Sequence, residues 1–207
     1  MSMNKILLIA LTSIISFNLQ SEESQTAWKK ETVQGFPVFE GQLEITEGFG
    51  AYLDFCLRPN SKNFDNGGGS HDYNTQFLKN YHGVSNYVYD PFQRSEEVNA
   101  TTLNEIKKHD FDTATSNSVL NVINTHEARI KHISLSCEAL KEGGIAYFKI
   151  YPGDRSQVEK KLADSYQSNR SAASYQEEVE QVFGKGNVVV DGKREMIIAY
   201  KNSSCKG

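Results

Sequence analysis

The sequence lacks a basic excess. It carries 22 lysines and arginines against 26 aspartates and glutamates, a formal net charge of −4 and a pI near 5.8. General nucleic-acid binders carry a surplus of positive charge, so that class is not expected; only a local basic patch is left open. Internal repeats and low-complexity blocks are also missing, which argues against a repeat array. Cysteine is scarce and odd in number: Cys56, Cys137 and Cys205. Their spacings fit no zinc motif, and an odd count cannot close completely. In an oxidising compartment the expected bridge is Cys56–Cys205, because Cys137 sits in a helical pattern; the other reading is three unpaired thiols.

What is present suits a folded domain. Hydrophobic residues make up 38% and charged residues 23% of 207, enough apolar material for a core and too much for wholesale disorder. A nearly unbroken apolar run, ILLIALTSIISFNL, follows Lys5 and precedes QSEES. That order is the three-part pattern of a secretory signal peptide, and the run falls short of the ~20 residues of a comfortable membrane span. Cleavage is expected between about Ser16 and Ser24, although no A-x-A site is visible. An uncleaved anchor and a buried helix are the alternatives. The expected organisation is a signal peptide or membrane anchor over 1–24, an N-terminal extension over 25–60 and one domain over 61–207. Acting as a signal, the first segment would make the protein secreted, periplasmic or membrane-anchored; otherwise it is cytoplasmic. Membrane contact is expected only through that segment.

Periodicity then sets out the elements. FPVFEGQLEI alternates like a strand, and GFGAYLDFCLRP reads as a short helix or strand ending at Pro59. KNFDN is a strand, YNTQFLKNYHG a helix ended by Gly83, and SNYVYDPF a strand broken at Pro91. Ser95 is a good N-cap for SEEVNATTLNEIKKH, with Val98, Leu103 and Ile106 at helical spacing. FDTATSNSVLNVI begins as a strand and runs into a helical or loop segment. THEARIKHISLSCEALKEGG is a helix stopped by Gly143 and Gly144, and IAYFKIYPG is a buried strand. SQVEKKLADSYQ and SYQEEVEQVFG read as amphipathic helices. NVVVDGKREMIIAYK reads as two strands joined at Asp191-Gly192. The alternation predicts an α/β domain with a largely parallel sheet and helices on both faces.

In such a sheet, ligands sit beyond the carboxyl ends of the strands. FDNGGGSHDYNT, Phe64 to Thr75, occupies that place. Glycine there allows a positive φ and close approach of a ligand, and a following helix N-terminus offers free N–H groups. A plain flexible turn explains the same residues. VYDPF puts Asp90 at the end of the next strand, at about the 20-residue gap expected between a glycine loop and a ribose-binding acid. Its bland reading is a cap on the turn before Pro91.

FDNGGGSHDYNTQFL, NYVYDPFQR, FDTATSNSVLNVI and LKEGGIAYFKIYPGD together resemble the class I S-adenosylmethionine-dependent methyltransferases, over about residues 61–201. The resemblance implies a Rossmann-like methyltransferase fold, a mainly parallel sheet with a terminal antiparallel hairpin, here lacking one strand–helix unit. It implies S-adenosylmethionine as cofactor and methyl transfer to an unidentified acceptor. It puts Asp65, Gly67, Gly68 and Gly69 around the methionine part, Asp90 on the ribose with Pro91 beside it, and Thr115–Ser116–Asn117 near the reacting methyl. Ser116 is thus a cofactor-binding candidate. Methyl transfer from a sulfonium depends mostly on alignment, so a general base is optional. His71, Asp72, Tyr73 and Asn117 are the catalytic candidates; solvated, capping or packing roles are their bland readings. Tyr151–Arg155 is either part of an acceptor pocket or a turn, and His126 and His132 show no metal spacing. The chain departs from the family between Asp90 and Asp112, where there is room for one helix and little else, and TSNS is not the Asn-Pro-Pro-aromatic motif of amino-group methylases. The second function hypothesis is an exported, non-catalytic binding protein on the same fold, because S-adenosylmethionine is made in the cytosol. A third is another enzyme on this fold.

Overall fold

The computed structural model describes residues 29–33, 36–40, 55–161 and 165–203. The expected signal segment, most of GFGAYLDFCLRP and Cys205 lie outside the described residues. The chain divides between Thr46 and Glu47 into two units. In the first, β1 (Lys29–Val33) and β2 (Phe36–Glu40) pair antiparallel, with Lys29 opposite Glu40 and Val33 opposite Phe36.

The second unit is built on a six-stranded sheet in the order β4-β3-β5-β6-β10-β9. Its elements are β3 (Lys62–Asn66), α1 (Tyr73–His82), β4 (Ser85–Tyr89), α2 (Glu96–Ile106), β5 (Phe111–Asn117), α3 (His126–Ala139), β6 (Leu140–Lys149), α4 (Gln176–Phe183), β9 (Val188–Asp191) and β10 (Met196–Tyr200). The pairs β3–β4, β3–β5 and β5–β6 are parallel, and β10 runs antiparallel between β6 and β9. The mainly parallel sheet with a terminal hairpin is therefore present. Only α2 joins β4 to β5, as the short Asp90–Asp112 interval requires. Local chemistry sets the ends of the elements. Gly83 closes α1 in the left-handed region at φ 66°, and the Ser95 hydroxyl accepts the Val98 N–H at the start of α2.

The two faces of the sheet differ. On one, Phe64, Phe111, Phe148, Ile133, Leu140 and Phe183 are buried together beneath α3 and α4. Each such side chain contributes about 1.5–3 kcal/mol on leaving water. Phe64 meets Phe111 edge-on at 5.9 Å, and Phe148 meets Phe183 at 6.2 Å. On the other face, near α1, the side chains beneath β3 are polar. The Asn63 amide donates to Asn86 (2.7 Å) and Thr115 (2.9 Å) and accepts from Thr113 (2.6 Å). The Asn86 amide donates in turn to Thr75 on α1 at 2.9 Å. Every donor in this set has an acceptor, which is what permits its burial.

Three expectations need correction. SQVEKKLADSYQ is not a helix: β7 (Glu159–Lys161) and β8 (Tyr166–Ser168) form a small antiparallel sheet. Its ends are pinned locally. Asp154 accepts the Ser156 N–H and the Lys160 ammonium, and Gln157 and Val158 exchange backbone bonds with Asn169. Such side-chain and ladder bonds outcompete a weak helical pattern with few apolar residues. The helix α3 stops at Ala139 rather than at the glycines, and Leu140 already belongs to β6, with Gly143 at φ 73° inside the strand's first half. Lastly, the Cys56–Cys205 bridge is not formed, since Cys56 is free and exposed while Cys137 is disulfide-bonded. A helical position does not prevent a bridge, because the side chain points off the helix toward whatever passes beside it.

A buried ion pair ties α3 to α4. Arg129 donates through Nε and Nη2 to both oxygens of Glu178, at 2.7 and 2.8 Å, and through Nη1 to the Ile123 carbonyl at 2.9 Å. The two side chains are 8% and 11% exposed. Removing one partner leaves a buried charge unpaired, so Arg129→Met should cost about 3–5 kcal/mol in urea unfolding. Arg129→Met combined with Glu178→Leu should recover much of that loss. A double variant no more stable than the single one would contradict this account.

Candidate functional site

The parallel strands deliver their loops to one end of the sheet. Because β3 lies between β4 and β5, the chain leaves it for one neighbour and returns to the other, opening a crevice above β3. The loops of β3 and β5 touch there: a Cβ on Gly67 would stand 2.6 Å from a methyl of Val119, just past the end of β5. A Cβ on Gly68 would stand 2.5 Å from the Asp65 carboxylate and 2.8 Å from Val88. Gly69 differs. It has φ 70°, and among the described residues beyond its chain neighbours no heavy atom lies within 4 Å of where its Cβ would be. The first two glycines are thus required by the protein's own packing, and the third leaves its side open.

Asp90 joins this loop directly. Its Oδ2 accepts the Gly69 N–H at 3.0 Å, and its Oδ1 accepts the Phe92 and Gln93 N–H groups, each at 3.0 Å. The carboxylate therefore caps the turn at Pro91 and also holds the glycine loop, so both roles fall on one buried residue, 8% exposed. The Asn99 amide on α2 fixes Asp90 from behind, accepting its N–H and donating to its carbonyl, both at 3.0 Å. Asp65 is also buried; Thr115 donates to it at 3.3 Å and Asn86 at 3.4 Å.

The remaining sequence candidates are distributed around this end. His71 and Tyr73 are exposed, with ring centroids 5.8 Å apart. Asp72 stands at the N-cap of α1, but its carboxylate makes no cap bond and binds Arg94 instead. Asn117 ends β5 and accepts the Ser118 hydroxyl at 3.3 Å. Pro91 is exposed on the turn beside Asp90. Ser116 is the outlier. Its hydroxyl points to the α3 face and shares a 2.8 Å hydrogen bond with Nε2 of His132. Tyr151, in the loop after β6, is half-exposed, and its N–H donates to Asn121 at 3.4 Å.

Two residues at this end were missed by sequence reasoning. Phe92 is 92% exposed on the turn after β4, next to Asp90, an aromatic face left in water. DPF read only as a broken strand, although an aromatic immediately after the strand-end acid was visible there. Arg94 reaches back to the glycine loop, and no spacing rule announces that contact. Among the described residues no group of three or more His, Cys, Asp or Glu side chains could hold a metal ion.

No protein-family model matches the sequence, and no curated protein matches it in sequence comparison. Solved structures match in fold. The 1,6-didemethyltoxoflavin-N1-methyltransferase of Burkholderia thailandensis, crystallised with 1,6-didemethyltoxoflavin and S-adenosylhomocysteine, is similar with a TM-score of 0.52 and 13% identity, over 98% of this chain and 92% of that one. Human N-acetylserotonin methyltransferase in complex with SAM gives 0.50 and 15%, over 76% of this chain and 52% of that one. The S-adenosylmethionine-dependent methyltransferase SibL, in its apo form, gives 0.47 and 17%, over 69% and 50%. The chain spans about half the length of the latter two. At these identities the likeness is one of fold: a Rossmann-like methyltransferase fold with its terminal antiparallel hairpin.

The His132–Ser116 pair makes the stability pH-dependent. Burial holds the His132 imidazole down to about 4, from the usual value near 6.5. Below 6.5 the unfolded chain takes up a proton that the folded chain refuses until about pH 4. The contribution is therefore complete above pH 6.5 and is lost as pH falls toward 4, by up to about 3 kcal/mol. His82, also lowered by burial, acts in the same direction. Urea unfolding at pH 7.5 and pH 5 should show this loss in the parent and a smaller one in His132→Gln. Equal losses in both proteins would refute the assignment.

Proposed function

We propose that the protein binds S-adenosylmethionine in the crevice above β3 and transfers its methyl group to an acceptor. The observation that carries the reading is the contact of the Gly69 N–H with Asp90 Oδ2 at 3.0 Å, which unites a glycine loop and a strand-end acid at the crossover point of a parallel sheet. The fold shared with methyltransferases solved with SAM or S-adenosylhomocysteine supports it. The open side of Gly69 suits close approach by the amino-acid part of the cofactor. Asp90 takes the ribose. A carboxylate has about four acceptor directions, and three N–H groups already use Asp90, so Oδ2 retains one for a ribose hydroxyl. The exposed Phe92 ring supplies a stacking face for the adenine.

The cofactor supplies an activated leaving group, and this chain supplies alignment. His71, Tyr73 and Asn117 border the crevice and are the groups that meet the acceptor. The Asp72 carboxylate is paired with Arg94.

A specific observation favours a second reading, an exported binding protein on this fold without turnover. Cys137 is disulfide-bonded, which suits an oxidising compartment, and S-adenosylmethionine is made in the cytosol. On this reading the N-terminal apolar run is the export signal, and the protein works outside the cytosol or anchored to the membrane.

Calorimetric titration with S-adenosylmethionine and S-adenosylhomocysteine tests both readings. Asp90→Ala should weaken binding at least tenfold, since a hydrogen bond to a charged group contributes about 1.5–3 kcal/mol. Phe92→Ala should weaken it by roughly tenfold at unchanged Tm, as the loss of one stacked base implies. Binding with methyl transfer to any acceptor supports the first reading, and binding without turnover supports the second. A parent protein that binds neither compound overturns both.

A further inference from the structure

Arg94 lies on the short loop between β4 and α2, a surface position, yet its side chain is only 9% exposed. It is folded back onto the glycine loop. Nε donates to the Gly69 carbonyl at 2.6 Å, Nη2 to the His71 carbonyl at 2.8 Å, and Nη1 to the Asp72 carboxylate at 2.5 Å. These acceptors lie 22 to 25 residues earlier in the chain. The planar guanidinium presents its donors in a fixed fork, so three acceptors bound at once define one arrangement of residues 69–72. The ion pair itself matters little, because Asp72 is 59% exposed and solvent screens it. The two carbonyls do the shaping.

The two halves of the crevice are joined by the Gly69–Asp90 bond but otherwise held by different groups. Asp90 is fixed by Asn99 and by its own turn, including the Arg94 backbone N–H on its carbonyl, whether or not the Arg94 side chain is present. Residues 69–72 are held by the Arg94 side chain, by the Gly69–Asp90 bond and, at the start of α1, by the Gln76 N–H on the Asp72 carbonyl at 2.8 Å. The open face of Gly69, with no described residue beyond its chain neighbours within 4 Å, belongs to the segment that Arg94 holds.

We propose that Arg94 is the positioning residue of this site, shaping the Gly69–Asp72 segment to receive the amino-acid end of the ligand. This rests on the S-adenosylmethionine reading above. The Arg94 side chain bonds only to residues 69–72, whereas its contact with the Asp90 turn is a backbone N–H to the Asp90 carbonyl at 3.1 Å that a side-chain substitution leaves in place, so the two ends of the ligand should respond differently to loss of the guanidinium.

The test compares S-adenosylhomocysteine with 5′-methylthioadenosine, which keeps the nucleoside and lacks the amino-acid end. Arg94→Gln should weaken binding of the first by roughly tenfold and leave the second within about twofold. Arg94→Lys should show the same split, because a point charge cannot reproduce the fork. Amide hydrogen exchange in the ligand-free protein should accelerate at residues 69–72 and stay unchanged in β5 and β6. Equal losses for the two ligands, or unchanged exchange at 69–72, would overturn the proposal. If the parent binds neither compound, the cofactor reading fails, and exchange at 69–72 decides the role of Arg94 on its own.

Discussion

The central place of β3 constrains everything at the carboxyl end of the sheet. Paired in parallel with β4 on one side and β5 on the other, it obliges the chain to depart in one direction and come back past its own start. The crevice is the space this reversal leaves. Its walls are the loops after β3, β4 and β5, and each is tied to another: Gly67 rests against Val119, and Gly69 is bonded to Asp90. A displaced β3 would separate all three. The polar set beneath it, Asn63 with Asn86, Thr113 and Thr115, fixes its register against both neighbours, because amide and hydroxyl partners must meet at particular positions where apolar contacts could slide.

Much of this architecture is legible in the sequence, and the reasons are local. KNFDN, the Gly83 stop, the Ser95 cap and the terminal hairpin all follow from punctuation by glycine, proline, serine and aspartate, whose conformational effects act within a few residues. The place of Asp90 was legible for the same reason, since a strand end followed by proline is a short-range signal. Its turn-capping bonds to Phe92 and Gln93 were legible too, but its bond to Gly69 was not, because that donor lies on a loop 21 residues earlier.

The failures are long-range or competitive. Arg94 reads as an ordinary surface arginine until the fold brings Gly69 beneath it. Ser116 and its neighbours read as one polar run, but a strand sends alternate side chains to opposite faces, and Ser116 falls on the α3 side with Phe148 opposite it in register. Cys137 was set aside because it lies in a helix, a rule about backbone applied to a side-chain bond. The β7–β8 hairpin shows the competitive case, where backbone bonds to Asn169 and the Asp154 contacts prevail over an amphipathic pattern with few apolar residues to bury.

The grip of Asn99 on Asp90 makes α2 a distant party to whatever enters the crevice. Ile106 packs into the core and Leu103 against it. The helix is attached also through the Asn99 amide, bonded to both backbone groups of Asp90, and through the Thr102 hydroxyl, bonded to the Val88 carbonyl at 2.8 Å. Free energies of this kind are reciprocal. A ligand that tightens Asp90 must steady α2 by the same amount as a steadied α2 tightens the ligand. Whatever restrains this helix, whose Glu96, Glu97, Thr101 and Asn104 are exposed, therefore also restrains Asp90.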